Sequence, residues 1–89
     1  MKQYDWDQGK NAQLKQQRGV TFEEIVFQIS QGFEVDVFRH PNQKKYPGQM
    51  VSVVILDDYA YLVPYVESDN VLFLKTIIPS RKATKKYLG

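Results

Sequence analysis

Apolar residues recur at helical spacing in the first third of the chain, at Phe22, Ile25, Val26 and Ile29. This spacing predicts an amphipathic helix with one buried stripe. Thr21 and Glu24 form a capping box at its start, and Gly32 is expected to end it. An earlier, more polar helix is predicted over residues 8–18, with Asp7 as its N-cap and Gly19 just beyond its last turn.

From Phe33 onward the apolar period changes to two, which is typical of β-strands. Strands are predicted over residues 33–38, 50–56, 59–66 and 71–78, and a further short strand over 2–6 is an alternative. The breaks at Asp57-Asp58 and at Ser68–Asn70 are short enough to predict antiparallel hairpins. Residues 39–48 contain two prolines and are predicted to form a surface loop.

Pro79 and Ser80 interrupt the last strand, and Ser80 is a suitable N-cap for a short C-terminal helix over Arg81–Leu88. The order of these elements predicts an α+β fold. Two N-terminal helices pack on a four-stranded, mainly antiparallel sheet, a short C-terminal helix follows, and all helices lie on one face of the sheet.

Composition narrows the possible chemistry. The chain has 89 residues, of which 43% are hydrophobic, so we expect a single domain over residues 1–89. It has no cysteine and one histidine, which excludes disulfide scaffolds, thiol nucleophiles, Cys-ligated zinc and paired-histidine centres. We therefore predict no metal and no cofactor.

No apolar run approaches the roughly 20 residues that span a bilayer, and the first residues do not resemble a signal peptide. We expect the protein to be soluble and cytoplasmic, with no membrane partner.

The net charge of +2 hides an uneven distribution. Residues 75–89 contain no acid and carry the cations Lys75, Arg81, Lys82, Lys85 and Lys86. A helix that begins after Ser80 is expected to place its four cations along one side. Two interpretations remain open: a phosphate site built on the Arg81 guanidinium and the helix N-terminus, or a solvated basic face.

The strand over residues 59–66 places Tyr59, Tyr61 and Tyr65 on the same face. Aromatic side chains beside cations bind single-stranded RNA by stacking, but tyrosines also pack on sheets in many proteins, and packing is the favoured interpretation. Pro64 indicates an irregular position, which is expected to expose Tyr65.

His40 could act as a general base, since neighbouring Arg39, Lys44 and Lys45 are expected to keep it neutral. Its place at the start of a proline-containing loop favours an ordinary turn residue instead.

Three segments together resemble the BrnT family of bacterial toxins. They are Asp5-Trp6-Asp7 with Lys10-Asn11, the run from Arg18 to Glu24, and the run from Ile77 to Lys86. The resemblance extends over nearly the whole chain, from Tyr4 to Tyr87. It implies a RelE-like ribonuclease fold, metal-independent RNA cleavage that arrests translation, and neutralisation by a cognate antitoxin in a hetero-oligomeric complex. The chain differs at Arg18, where many members have histidine, and at Thr76, where they have arginine.

Cleavage by the 2′-OH of the RNA needs a proton acceptor, cations around the phosphorus and a proton donor for the leaving group. Our hypothesis assigns Arg81 to the phosphate, Lys75 or Lys82 to charge stabilisation, and Tyr65 to orientation or proton exchange, with His40 as a less favoured base. These groups are expected to converge at the end of the last strand. The residues predicted to contact RNA, free or on the ribosome, are Arg18, Arg39, Lys44, Lys45, Lys82, Lys85 and Lys86.

A non-catalytic module that binds RNA or a protein partner is the competing hypothesis. The differences from the family at Arg18 and Thr76 favour it.

Overall fold

The computed structural model describes residues 2–89 and contains three helices and six strands in the order β-α-α-β-β-β-β-β-α. The strands are β1 Gln3–Trp6, β2 Glu34–Arg39, β3 Met50–Leu56, β4 Tyr59–Ser68, β5 Val71–Leu74 and β6 Ile78–Pro79. The helices are α1 Gln8–Arg18, α2 Phe22–Ser30 and α3 Arg81–Leu88. The α+β class and all three helices are as predicted.

Side-chain caps determine where the two N-terminal helices begin. The Asp7 carboxylate accepts a hydrogen bond of 2.8 Å from the backbone N–H of Lys10. Both bonds of the Thr21–Glu24 capping box are present. Gly19 ends α1 at a φ of 67°, a conformation in which a side chain would be strained. Because these signals are local, the predicted helix boundaries are confirmed to within two residues.

The sheet has the strand order β1-β5-β4-β3-β2, with β6 also paired to β4. Strand β1 runs parallel to β5, and every other pair is antiparallel. The prediction of four strands was therefore wrong: the N-terminal segment, given only as an alternative, forms an edge strand and makes the sheet mixed. Its pairing with β5 joins residues about 68 positions apart, as in Gln3 and Val71, and no local pattern encodes that choice.

The predicted strand over 71–78 is divided into β5 and β6, which pair with different parts of β4. The division lies opposite Pro64, whose carbonyl accepts from the N–H of Lys75 at 2.8 Å. Because proline has no N–H, the ladder cannot be completed at this position, and the chain leaves the sheet until Ile78.

Two tight hairpin turns join the central strands. Asp57 and Asp58 have φ values of 52° and 59°, and Asp69 and Asn70 have 52° and 65°. Two consecutive positive φ values characterise the type I′ turn, whose twist suits a two-residue hairpin. The predicted antiparallel hairpins are confirmed.

The helices lie on opposite faces of the sheet, which corrects the prediction that all lie on one face. Helices α1 and α2 bury Leu14, Phe22 and Ile25 in a cluster with Val54 and Val63. Helix α3 packs on the reverse face, where Ala83 meets Val53, Ile55 and Ala60. Because side chains alternate along a strand, adjacent residues such as Val53 and Val54 belong to different layers.

Within residues 2–89, no helix is both long and apolar enough to cross a membrane.

Candidate nucleic-acid interface

Helix α3 is capped by Ser80 and is held to the sheet by side-chain hydrogen bonds of Thr84 and Tyr87. The Ser80 hydroxyl accepts from the N–H of Ala83 at 3.0 Å and caps the helix. The Thr84 hydroxyl accepts from the N–H of Ala60 at 2.9 Å and donates to the carbonyl of Ser80 at 2.7 Å. In the last turn, the Tyr87 hydroxyl donates to a carboxylate oxygen of Asp36 on β2. The helix therefore spans the sheet from β4 to β2.

The cations of α3 form two pairs on the side of the helix that faces away from the sheet. Residues Ala83, Thr84 and Tyr87 face the sheet, which leaves all four cations on the exposed side of the helix, as expected. Arg81 and Lys85 line a recess of about 500 Å³ beside Asp58 at the β3–β4 turn. Lys82 and Lys86 line a smaller groove of about 220 Å³ on the other flank, together with the apolar residues Phe38, Val53 and Leu62.

None of these four cations forms an ion pair within 4.0 Å with a carboxylate of residues 2–89. Among residues 2–89, the one ion pair within 4.0 Å joins Lys2 and Glu67, far from α3. All four residues are exposed, and the Nζ of Lys86 lies 5.2 Å from the ring centroid of Tyr87. Helix α3 thus presents four exposed cations against two nearby carboxylates, Asp58 and Asp36, and this excess of positive charge favours binding of a polyanion.

Tyr65 does not have the environment that proton exchange requires. It is 7% exposed and lies on the α1–α2 face among core residues such as Leu72 and Leu74. Burial raises the pKa of Tyr65, and the carboxylates of Glu34 and Glu67 raise it further. The expectation that Pro64 exposes Tyr65 was wrong, because the proline disrupts the β5 side of β4 while the tyrosine ring remains under the helices.

Lys75 and Arg81 are not brought together. The N–H of Lys75 bonds to the carbonyl of Pro64, whereas the N–H of Ser80, just before Arg81, bonds to that of Ala60. Four residues of extended strand separate these two points, roughly 13 Å. The Nζ of Lys75 instead lies 5.3 Å from the ring centroid of Phe73. Because Tyr65 lies on the α1–α2 face and α3 on the reverse face, the three groups Arg81, Lys75 and Tyr65 do not converge as expected.

His40 begins the loop between β2 and β3, at the opposite end of β3 from the Asp58 turn. Its Nδ1 accepts a hydrogen bond of 3.0 Å from the N–H of Asn42. A neutral imidazole with an occupied Nδ1 lone pair carries its proton on Nε2. In this arrangement the ring is a donor at Nε2 and has no free lone pair with which to accept a proton.

The predicted RNA-contacting residues outside α3 have different surroundings. Lys44 and Lys45 are exposed in the β2–β3 loop, and the Arg39 guanidinium lies 3.5 Å from the amide oxygen of Gln43. The Arg18 guanidinium donates a hydrogen bond to the carbonyl of Ile77. This bond joins the end of α1 to the segment between β5 and β6. Arg18 therefore stabilises the fold and is also an exposed cation.

The structure adds three residues that sequence reasoning missed. Tyr46 packs against His40 with ring centroids 4.5 Å apart, and Gln43 braces the loop around them. The succession Lys44-Lys45-Tyr46 could have signalled a cationic aromatic site. Tyr87 is bonded to Asp36 across 51 residues, and no sequence pattern links the two.

Within residues 2–89, no three or more metal-ligating side chains are grouped together. No family model, curated protein or solved structure shows a significant match to this chain.

Proposed function

We propose that this protein is the toxin of a type II toxin–antitoxin system with a RelE-like fold, and that it binds and cleaves RNA in the cytoplasm. A cognate antitoxin neutralises it in a hetero-oligomeric complex. The observation that carries the proposal is helix α3, whose four cations are exposed and form no ion pair within 4.0 Å among residues 2–89. Unpaired cations on a rigid element bind a phosphate backbone by releasing its counterions.

Arg81 is the residue we assign to the scissile phosphate. Its planar guanidinium can make two parallel hydrogen bonds to phosphate oxygens, and it stands in the first turn of α3, where the helix dipole also favours an anion. In the reaction, the 2′-OH of the RNA loses its proton to solvent water as its oxygen attacks the adjacent phosphorus. The bond from phosphorus to the 5′-oxygen breaks, and that oxygen takes a proton from solvent and leaves as a hydroxyl, so a 2′,3′-cyclic phosphate remains. Arg81 stabilises the negative charge that develops on the phosphorane oxygens.

The test of cleavage is to incubate the purified protein with ribosomes and messenger RNA and to map new 5′ ends. Cuts should persist in the presence of a chelator, and the Arg81→Ala variant should cut at least about tenfold more slowly. The matched control is Lys10→Ala, which removes a cation from the opposite face and should cut at the wild-type rate. Undiminished cutting by Arg81→Ala would remove Arg81 from any central role.

Binding through α3 is tested by a pair of charge-matched variants. Lys82→Gln/Lys86→Gln removes two cations from α3, and Lys10→Gln/Lys15→Gln removes two from α1. Because each phosphate contact to a single strand contributes about 0.7 to the slope of log affinity against log salt, the α3 variant should lower that slope by about 1.4. The α1 variant should leave it unchanged, and equal slopes for the two variants would contradict the assignment.

A second function, binding of RNA or a protein partner without cleavage, is favoured by the absence of an assembled catalytic group. Tyr65 is buried on the face opposite α3, and the Nδ1 of His40, which a general base would use, already accepts a hydrogen bond. The same mapping experiment separates the two functions, since a binder protects RNA from added nuclease without generating new 5′ ends.

A further inference from the structure

The loop between β2 and β3 is braced by its own side chains. The Gln43 amide donates to the carbonyls of His40 and Gln49, at 2.8 and 3.0 Å, and accepts from the N–H of Gly48 at 3.0 Å. The Asn42 side chain accepts from the N–H of Lys45 at 3.1 Å. With its backbone held in this way, the loop presents its remaining side chains in a defined arrangement before any partner binds, which lowers the entropic cost of binding.

A hydrogen-bond donor and an aromatic ring stand side by side in this loop. Among residues 2–89 the Nε2 of His40 has no hydrogen-bond partner, and it is not a buried atom. The His40 and Tyr46 rings are tilted by 44° with centroids 4.5 Å apart, and both side chains are half-buried, so each retains accessible surface.

Cations surround the two rings. The Nζ of Lys45 lies 5.4 Å from the Tyr46 ring centroid. Lys44, which precedes Lys45 in the chain, and Arg39, which precedes His40, are exposed. Neither lysine nor Arg39 has a carboxylate within 4.0 Å among the residues described. A donor, an aromatic surface and uncompensated cations are the three elements with which proteins hold a base and its phosphate in a single strand.

We propose that this loop is a second contact site for single-stranded RNA, in which a base stacks on the His40–Tyr46 ring pair and Nε2–H of His40 donates to a phosphate oxygen. Lys44 and Lys45 bind the flanking phosphates. His40 is then a recognition residue and not a general base. The inference rests on the proposed action on RNA, but it concerns a different element from α3.

The probe is a fluorescein-labelled oligouridylate with 2′-O-methyl groups, which cannot be cleaved by 2′-OH attack, and its binding is followed by fluorescence polarisation. Tyr46→Ala should weaken binding about tenfold or more, the usual loss when one stacking platform is removed. Tyr46→Phe keeps the ring and should bind like the wild type. His40→Phe keeps an aromatic ring but removes the donor, and it should also bind more weakly.

Inorganic polyphosphate, a polyanion without bases, separates stacking from simple charge attraction. Tyr46→Ala should bind polyphosphate like the wild type, whereas Lys44→Gln/Lys45→Gln should bind both probes more weakly. An equal loss for both probes in Tyr46→Ala would overturn the stacking contact. Circular dichroism of each variant checks that the fold is retained.

The outcomes distinguish this inference from the proposed function. If the wild type binds the oligouridylate and Lys82→Gln/Lys86→Gln weakens binding, while the variants at His40 and Tyr46 bind normally, the loop site alone is overturned. If the wild type does not bind the oligouridylate at all, both the loop site and the proposed action on RNA fail.

Discussion

At the scale of single residues, Asn11 makes the contacts that join the two N-terminal helices. It is buried, its side-chain oxygen accepts from the N–H of Phe22 at 2.8 Å, and its amide donates to Glu23 at 2.6 Å. Asn11→Ala should lower the free energy of unfolding by about 1–3 kcal/mol, because the buried N–H of Phe22 loses its acceptor. Urea unfolding measures this loss. Gln13→Ala, on the exposed side of the same helix, should change it by less than about 0.5 kcal/mol.

Tyr65 leads to a prediction about activity. Its burial and raised pKa argue against any proton transfer by its hydroxyl. Tyr65→Phe should therefore retain the wild-type rate of RNA cleavage and the wild-type growth arrest when it is expressed in cells. A well-folded Tyr65→Phe protein that no longer cleaved RNA would show that the hydroxyl takes part in the reaction.

At the scale of elements, the position of α3 depends on one side chain that bonds to both the helix and the sheet. Thr84 supplies the acceptor for the N–H of Ala60, a residue with no exposed surface. Thr84→Val preserves the shape but removes the acceptor, so it should cost about 1–3 kcal/mol of unfolding free energy. Thr84→Ser, which keeps the hydroxyl, should recover most of the loss in thermal unfolding experiments. If Thr84→Val were as stable as the wild type, the bond would be unimportant for docking α3.

The edge strand β2 leaves several large hydrophobic side chains exposed. Among residues 2–89, four of the seven large hydrophobic residues that remain exposed lie in β2 or directly before it: Phe33, Val35, Val37 and Phe38. Free strand edges of this kind invite pairing with another chain. Here the outward N–H of Val37 is occupied by the carboxylate of Asp36 at 2.8 Å, and a bulge interrupts the register between Glu34 and Asp36.

At the scale of the whole molecule, the Tyr87–Asp36 bond links the last helix to the edge strand and makes stability depend on pH. The bond holds the pKa of Asp36 below its ordinary value of 3.8 and the pKa of Tyr87 above 10.0. Its contribution is therefore complete between these two ordinary values. It is lost as the pH falls through the lowered pKa of Asp36, and lost again as the pH rises through the raised pKa of Tyr87.

Thermal unfolding of Tyr87→Phe across this range tests the linkage. The variant should melt at a lower temperature than the wild type at neutral pH, and the difference should shrink once the pH is well below 3.8. Tyr59→Phe is the control, since the Tyr59 hydroxyl makes no such bond to a carboxylate and its difference from the wild type should not vary over this pH range. A constant difference for Tyr87→Phe at every pH would contradict the assignment.

Local patterns were sufficient for much of this architecture. The caps at Asp7 and Thr21, the turns at Asp57-Asp58 and the alternation along β3 and β4 each involve residues a few positions apart, so their geometry follows from the chain itself. The basic character of the C-terminal helix could likewise be predicted from the order of the residues alone.

What local patterns could not supply were contacts between distant residues. Pairing of β1 with β5, docking of α3 on the reverse face, burial of Tyr65 and the bond from Tyr87 to Asp36 each depend on elements that meet only after the sheet has formed. The dispersal of Arg81, Lys75 and Tyr65 has the same cause. A strand presents neighbouring residues to opposite faces, and which face a helix covers is decided by packing across the sheet.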